Sequence, residues 1–316
     1  MLNVVVSGGT GFIGRSVVSA LTGAGHNVTV LARDPAKATA WFEARAGNGA
    51  RALAWSLEAG PVRDEWTGAV AAADVVVNLA GAGVMDRPWT APRKTELRRS
   101  RIDVTLALAQ AMATRSPACE RVLVSASAVG IYGERTDDTL LTEEAPRGTD
   151  FLAELCVAWE AATKPALDAG VRVVHPRLGI VLGVQGGALP TIVRPFRLSL
   201  GGAIGSGSQW VSWIHEQDVI DGLLFAITSP GLSGAYNFVA PRPVTMDEEA
   251  RTIAALLHTH ARARVPAFVV RALLGKGRAG AVLTGQRAAS ARLEGAGYVF
   301  AFEALLPALR ALLGAA

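Results

Sequence analysis

The sequence predicts an α/β protein in which a doubly wound parallel sheet is followed by a smaller, mostly helical C-terminal lobe. Three observations carry that prediction. Short apolar runs alternate with helical patterns through the first 180 or so residues of the 316. A glycine triplet joins the first run to the first helix. After Gly183 the texture changes to glycine-rich loops and then to helices.

In chain order, strands are expected at Asn3–Val6, Asn27–Leu31, Ala52–Trp55, Asp74–Leu79, Arg121–Ser125 and Val171–Val174. Each is apolar on both faces, which suits a parallel sheet covered on both sides. Helical patterns lie between them, among them Phe12–Leu21, Arg93–Ala113 and Phe151–Ala169. Residues 1–183 thus form a Rossmann-type nucleotide-binding domain, and residues 184–316 a ligand-facing lobe. Within the lobe, loops at Gly183–Gly187 and Gly201–Gly207 lead to Trp210–His215 and a helix over Gln217–Ile227. A strand at Ala235–Val239 is expected to return to the core sheet.

Composition narrows the class. Half of the residues are hydrophobic and 18% are charged, which excludes a disordered chain. With the first strand opening at residue 2 and no apolar run of membrane length, a soluble cytoplasmic protein without membrane partners is expected. Cys119 and Cys156 are too few for a disulfide framework, and His258 and His260 lack further ligands, so no metal site is expected. Between Ala250 and Leu293 stand eight Lys or Arg residues and no acid. No nucleic-acid motif accompanies them, so a solvated basic face is expected and nucleic acid is not an expected partner.

The glycine triplet carries the first chemistry. Gly8, Gly11 and Gly14 are three apart between a strand and a helix. The first permits a sharp turn, the second lets backbone approach a pyrophosphate, and the third lets the helix pack close, with phosphates at its N-terminus. Thr10, Phe12, Ile13 and Arg15 complete this turn. The second strand ends Leu31-Ala32-Arg33-Asp34. Arg33 stands where an NAD site would carry an acid, and a guanidinium suits the 2′-phosphate of NADP(H). Asp34 has a sufficient task as N-cap of a helix starting at Pro35. NADP(H) is therefore favoured over NAD(H). Asn78, Leu79, Ala80 and Gly81 form a turn expected near the inner ribose. Ser125 and Ser127 emerge at the carboxyl edge of the sheet, where a hydroxyl could hold a substrate carbonyl or the nicotinamide carboxamide, whereas Tyr132 reads as a packing residue.

These segments, with Pro176-Arg-Leu-Gly-Ile-Val-Leu-Gly183, Trp213-Ile-His-Glu-Gln-Asp218 and Gly234-Ala-Tyr-Asn-Phe238, resemble the extended short-chain dehydrogenases/reductases. The chain resembles more closely the atypical subgroup called the epimerase family, or nucleoside-diphosphate-sugar epimerase-like proteins. The likeness covers Asp150-Phe-Leu-Ala-Glu-Leu-Cys and a C-terminal segment, residues 262–312, that includes Val265–Gly275 and Gly285-Gln-Arg287. The resemblance implies hydride chemistry on a small, anionic or sugar-nucleotide-like substrate, and a homodimer.

One departure is decisive. The superfamily's Tyr-x-x-x-Lys proton relay falls on Leu152 and Cys156, and its structural asparagine on Arg101. Glu154 and His215 are then the candidates to replace the acid, with Ser127 orienting a substrate oxygen. Lys94, Arg101 and Arg177 are candidates for a substrate anion. The missing relay equally suits a non-catalytic protein that senses NADP(H).

Overall fold

The computed structural model describes residues 1–46, 50–56, 65–115, 120–261 and 263–314. Its N-terminal part alternates as expected: β1 (Asn3–Ser7), α1 (Phe12–Gly23), β2 (Asn27–Ala32), α2 (Pro35–Ala46), β3 (Arg51–Ala54), α3 (Glu65–Ala72) and β4 (Val75–Asn78). Then follow α4 (Ala91–Arg99), α5 (Ile102–Ala113), β5 (Val122–Ser125), β6 (Ser127–Ala128), β7 (Leu140–Leu141), α6 (Phe151–Ala161), α7 (Lys164–Asp168) and β8 (Arg172–Leu178). The later elements are β9 (Ile180–Leu182), α8 (Leu189–Arg197), β10 (Gly202–Ile204), β11 (Trp210–Val211), β12 (Trp213–His215), α9 (Glu216–Thr228) and β13 (Gly234–Phe238). The chain closes with β14 (Val244–Thr245), α10 (Met246–Leu256), β15 (Ala263–Val265), α11 (Ala267–Leu283), β16 (Arg287–Ala288), α12 (Ala291–Gly295) and α13 (Leu305–Leu313).

The main sheet runs β13-β8-β5-β4-β1-β2-β3, with β6 also paired to β8, and every pairing in it is parallel. The doubly apolar strands explain the layering. Val4, Val6, Val30, Val77 and Val124 face one buried cluster, while Val5, Leu31, Val76 and Leu123 face another. Because side chains alternate along a strand, each strand needs cover on both faces, which α1 and α9 supply on one side and α3 and α5 on the other. The strand near 235–239 returns to this sheet as β13, paired with β8 from Gly234 to Phe238. The lobe combines helices α8, α10 and α13 around a third cluster with short two-stranded ladders such as β9–β12.

Two expected helices are each broken. The pattern over Arg93–Ala113 splits at Ser100 and Arg101, whose side chains turn aside to bind the loop before α4. Ser100 Oγ accepts from the Ala82 amide at 3.1 Å, and Arg101 donates to the Ala82 carbonyl at 3.0 Å. The pattern over Phe151–Ala169 splits before α7, where Pro165 removes a helical donor and Thr163 Oγ1 donates to the Glu160 carbonyl.

The basic C-terminal stretch acquires acids from elsewhere in the fold. Arg264 pairs with Asp247, Arg292 lies 3.9 Å from Glu144, and Arg287 stacks over Trp210. Cys119 and Arg262 lie outside the described residues. No helix among the described residues is long and apolar enough to cross a membrane.

Candidate functional site

The glycine turn shows why its three residues are glycines. Gly8 has φ +76°, and a Cβ there would lie 2.6 Å from the carbonyl carbon of Leu79 at the end of β4. Gly14 packs directly on the Gly8 carbonyl. Gly11 caps α1 with extended backbone, no side-chain cap and no acid in the first turn. The first amides of α1 therefore face outward at the positive end of a 12-residue helix, a ready site for an anion. Thr10 is exposed on this turn. The side chains of Phe12 and Ile13 point elsewhere: Phe12 lies beneath the glycines of the 183–187 loop, and Ile13 packs on the core. Only their backbone belongs to the anion site.

At the end of β2, Asp34 Oδ1 accepts the Lys37 amide at 3.0 Å, so its carboxylate caps α2. Arg33 is exposed, and Arg15 stacks 4.6 Å over Trp41 on the neighbouring rim. The end of β4 differs from expectation. Asn78 is fully buried, donating to Thr105 at 2.8 Å and to Ser125 at 3.2 Å, with its oxygen accepting the Ala80 amide. Asn78 and Ser125 thus shape the turn from behind and offer no side chain to a ribose. Leu79 and Ala80 line the turn through backbone, tight against Gly8, while Gly81 sits against the Arg101 guanidinium.

The serine strand also corrects its reading. Ser127 is buried and donates to Glu160 Oε1 at 2.7 Å. Arg177 forks onto the same carboxylate at 2.8 and 3.0 Å and donates to Tyr132 Oη at 3.0 Å. Tyr132 donates in turn to Asn237 at 2.6 Å, while Glu143 accepts the Asn237 amide. Burial pushes the Glu160 carboxyl upward, but the hydrogen bonds and charge of Arg177, with the Ser127 hydroxyl, hold it below the ordinary range. Ser127 and Arg177 are therefore structural, because each has its donors committed inside the protein. Tyr132 packs as expected, its phenol pushed up by burial.

The two acid candidates fare no better. Glu154 is exposed on α6 and paired with Arg98 at 3.2 Å. His215 is the N-cap of α9: its Nδ1 accepts the Gln217 amide at 3.0 Å and its ring stacks on Phe302. Burial pulls its pKa down to about 4, so it stays neutral. Cys156, at the relay lysine's position, is pushed up to about 12 by burial and is inert as an acid or base near neutrality.

Arg101 and Lys94 remain open. Arg101 reaches beneath Gly81 and over Trp159, and no carboxylate among the described residues pairs with it. Lys94 lies 4.8 Å over the Phe151 ring and lines a cavity of about 280 Å³. Leu152 lines the same cavity, as do Glu134, Lys276 and Gln286, none of which sequence reasoning selected. Burial and then the Asp150 charge raise the Glu134 carboxyl above its ordinary pKa. Its signal in the sequence was its place directly after Tyr132-Gly133. Lys276 was hidden in the basic stretch, and Gln286 stood in the Gly285-Gln-Arg287 segment without an assigned role. Among the described residues, no three His, Cys, Asp or Glu side chains cluster as a metal would require.

The parallel sheet and the glycine turn at the head of α1 define the fold of the short-chain dehydrogenase/reductase class. A model of the NAD dependent epimerase/dehydratase family matches residues 4–238, and one of a domain of unknown function (DUF1731) matches residues 265–312. The chain belongs to the NAD-dependent epimerase/dehydratase family, in the branch that carries this C-terminal segment. It is 39% identical over 315 residues to the chloroplastic epimerase family protein SDR39U1 homolog of Arabidopsis thaliana, covering 99% of this chain and 87% of that one. It is 32% identical to epimerase family protein YfhF of Bacillus subtilis, covering 99% and 98%. The crystal structure of the human epimerase family protein SDR39U1 with NADPH superposes with a TM-score of 0.84 at 33% identity, covering 98% of this chain and 99% of that one.

Proposed function

We propose that the protein binds NADP(H) and carries out hydride transfer on a small anionic molecule by a route other than the Tyr-x-x-x-Lys relay. The observation that carries the cofactor choice is at the end of β2. Asp34 spends its carboxylate on the Lys37 amide, and the cation beside it, Arg33, has no ion pair among the described residues and can take a 2′-phosphate. The human relative crystallised with NADPH supports the same choice. The backbone amides of Phe12, Ile13 and Gly14 would hold the pyrophosphate, with Arg15 and Arg33 at the phosphate-bearing ribose. Bound there, the cofactor supplies hydride chemistry at its nicotinamide.

The chain must supply the proton. Glu134 is the group suited to hold it, since its carboxyl lines the cavity alongside Leu152 and has a raised pKa. Arg101 and Lys94 would hold the substrate's anionic part. Leu152 and Cys156 in place of the relay favour a second reading, a non-catalytic NADP(H) sensor. Turnover of no carbonyl or sugar-nucleotide compound by cofactor-loaded protein would select it.

Fluorescence titration with NADPH and NADH at equal ionic strength tests the first step. A preference for NADPH of tenfold or more, about 1.4 kcal/mol, is expected, and Arg33→Ala should erase it. Equal or NADH-favoured binding by the native protein would end the NADP(H) reading.

A further inference from the structure

The segment of unknown function is built into the cleft. Gly277 lies on the Trp89 ring, where a Cβ would meet it at 2.7 Å, and Gly280 lies against the Glu134 carboxylate. Gln286 donates to the Gly133 carbonyl at 2.6 Å, and Arg278 donates to the Met85 carbonyl at 3.3 Å. Trp89 is itself held, donating to the Val84 carbonyl at 2.8 Å and lying 5.2 Å from Phe151. Four contacts thus seat this part of α11 and the turn after it as a wall of the cavity that Leu152 lines from the other side.

That wall brings a charge with it. Gly275, at φ 73° and ψ 161°, breaks α11 immediately before Lys276 and redirects the chain into the cavity wall. Around the mouth most cations are already committed. Arg87 and Arg93 share Glu96, Arg98 pairs with Glu154, and Arg99 with Asp103. Lys94 and Lys276 have no ion pair among the described residues, although both line the cavity. Of the two carboxylates there, Asp150 is taken up by the amides of Leu152, Ala153 and Glu134. Two open ammonium groups, one from α4 and one from α11, therefore border one small space. At about 280 Å³ it falls just under the ~300 Å³ lower limit of sites for drug-sized ligands.

We propose that this cavity takes a compact carbonyl compound bearing two anionic groups, carboxylate or phosphate, held between Lys94 and Lys276, so that the C-terminal segment is the substrate-recognition element. The proposal deepens the hydride-transfer reading of the same cleft and rests on it for the reaction, while the anion clamp is tested by binding alone.

The test is calorimetric titration of the full chain, with saturating NADPH present, against succinate, inorganic phosphate and UDP-glucose. Saturable binding of succinate or phosphate is expected, weakened tenfold or more by Lys276→Ala and by Lys94→Ala and recovered in Lys276→Arg. Succinate as the tighter probe assigns carboxylates to the ligand, and phosphate as the tighter probe assigns phosphates. Absence of saturable binding by both anions, unchanged binding in Lys276→Ala, or tighter and competing binding of UDP-glucose would each overturn the clamp. NADPH affinity should be the same in all three variants. A native protein that failed to bind NADPH yet kept Lys276-dependent anion binding would end the cofactor reading and leave the clamp standing.

Discussion

At the carboxyl edge of β1 and β2 the chain leaves backbone amides and two arginines facing outward, whereas at the edge of β6 and β8 the polar side chains face one another. Among the described residues, Arg15 and Arg33 carry no carboxylate partner there. Ser127, Glu160, Arg177, Tyr132 and Asn237 form a closed chain of hydrogen bonds. Both regions hold the residue types that bind ligands, at the sheet edge where ligands bind. What separates them is saturation: a guanidinium with its donors committed within the protein has little left to give a substrate.

The largest effect that could break this contrast is expected at Glu160. Glu160→Ala would leave Arg177 buried without its carboxylate and should cost about 3–5 kcal/mol of stability, measured by urea denaturation. A loss below about 1 kcal/mol would mean that the network is held no more tightly than a surface pair. A buried acid outside both regions sharpens the comparison from the other side. Glu249 is buried, one of its oxygens has no partner among the described residues, and burial lifts its pKa from 4.5 to about 7. The folded state then binds this proton more tightly than the unfolded chain. Its contribution is complete below pH 4.5 and is lost as pH rises through 7. Stability should fall by about 2.5 kcal/mol from this group between pH 5 and 8, and Glu249→Gln should flatten that slope. An unchanged slope in the variant would place the titration elsewhere. The smallest effect is expected at Ser127, where alanine removes one donor to a carboxylate that Arg177 still holds. Ser127→Ala should cost about 1 kcal/mol and leave NADPH affinity as it was. A tenfold change in that affinity would return Ser127 to the ligand site.

The contrast also explains what could be read in advance. The sheet, the glycine turn and the capping role of Asp34 were legible because each depends on neighbours within a few residues. Ser127 and Glu160 are 33 residues apart, Arg177 and Glu160 are 17, and Tyr132 and Asn237 are 105. Their mutual satisfaction depends on how separate elements pack, so the serine and arginine looked available in the sequence. The break at Arg101 was hidden for a related reason, since apolar periodicity continues through it, whereas Pro165 stood in the sequence as a helix breaker. Lys276 was the reverse case, one cation among eight in an acid-free stretch, and only the fold distinguishes it from those that meet an acid or an aromatic ring.

The return of β13 to the sheet has a consequence for the order in which the protein is made. The Gly8 turn is backed by Asn78, Thr105 and Ser125 and meets the 183–187 loop through Phe12, whereas Asn237 must reach Tyr132 and also donates to the Leu141 and Ala289 carbonyls. At a synthesis rate of about 5–20 residues per second, the ribosome completes the first region several seconds or more before the second can close. A nascent chain therefore holds its glycine turn while its sheet still lacks an edge strand.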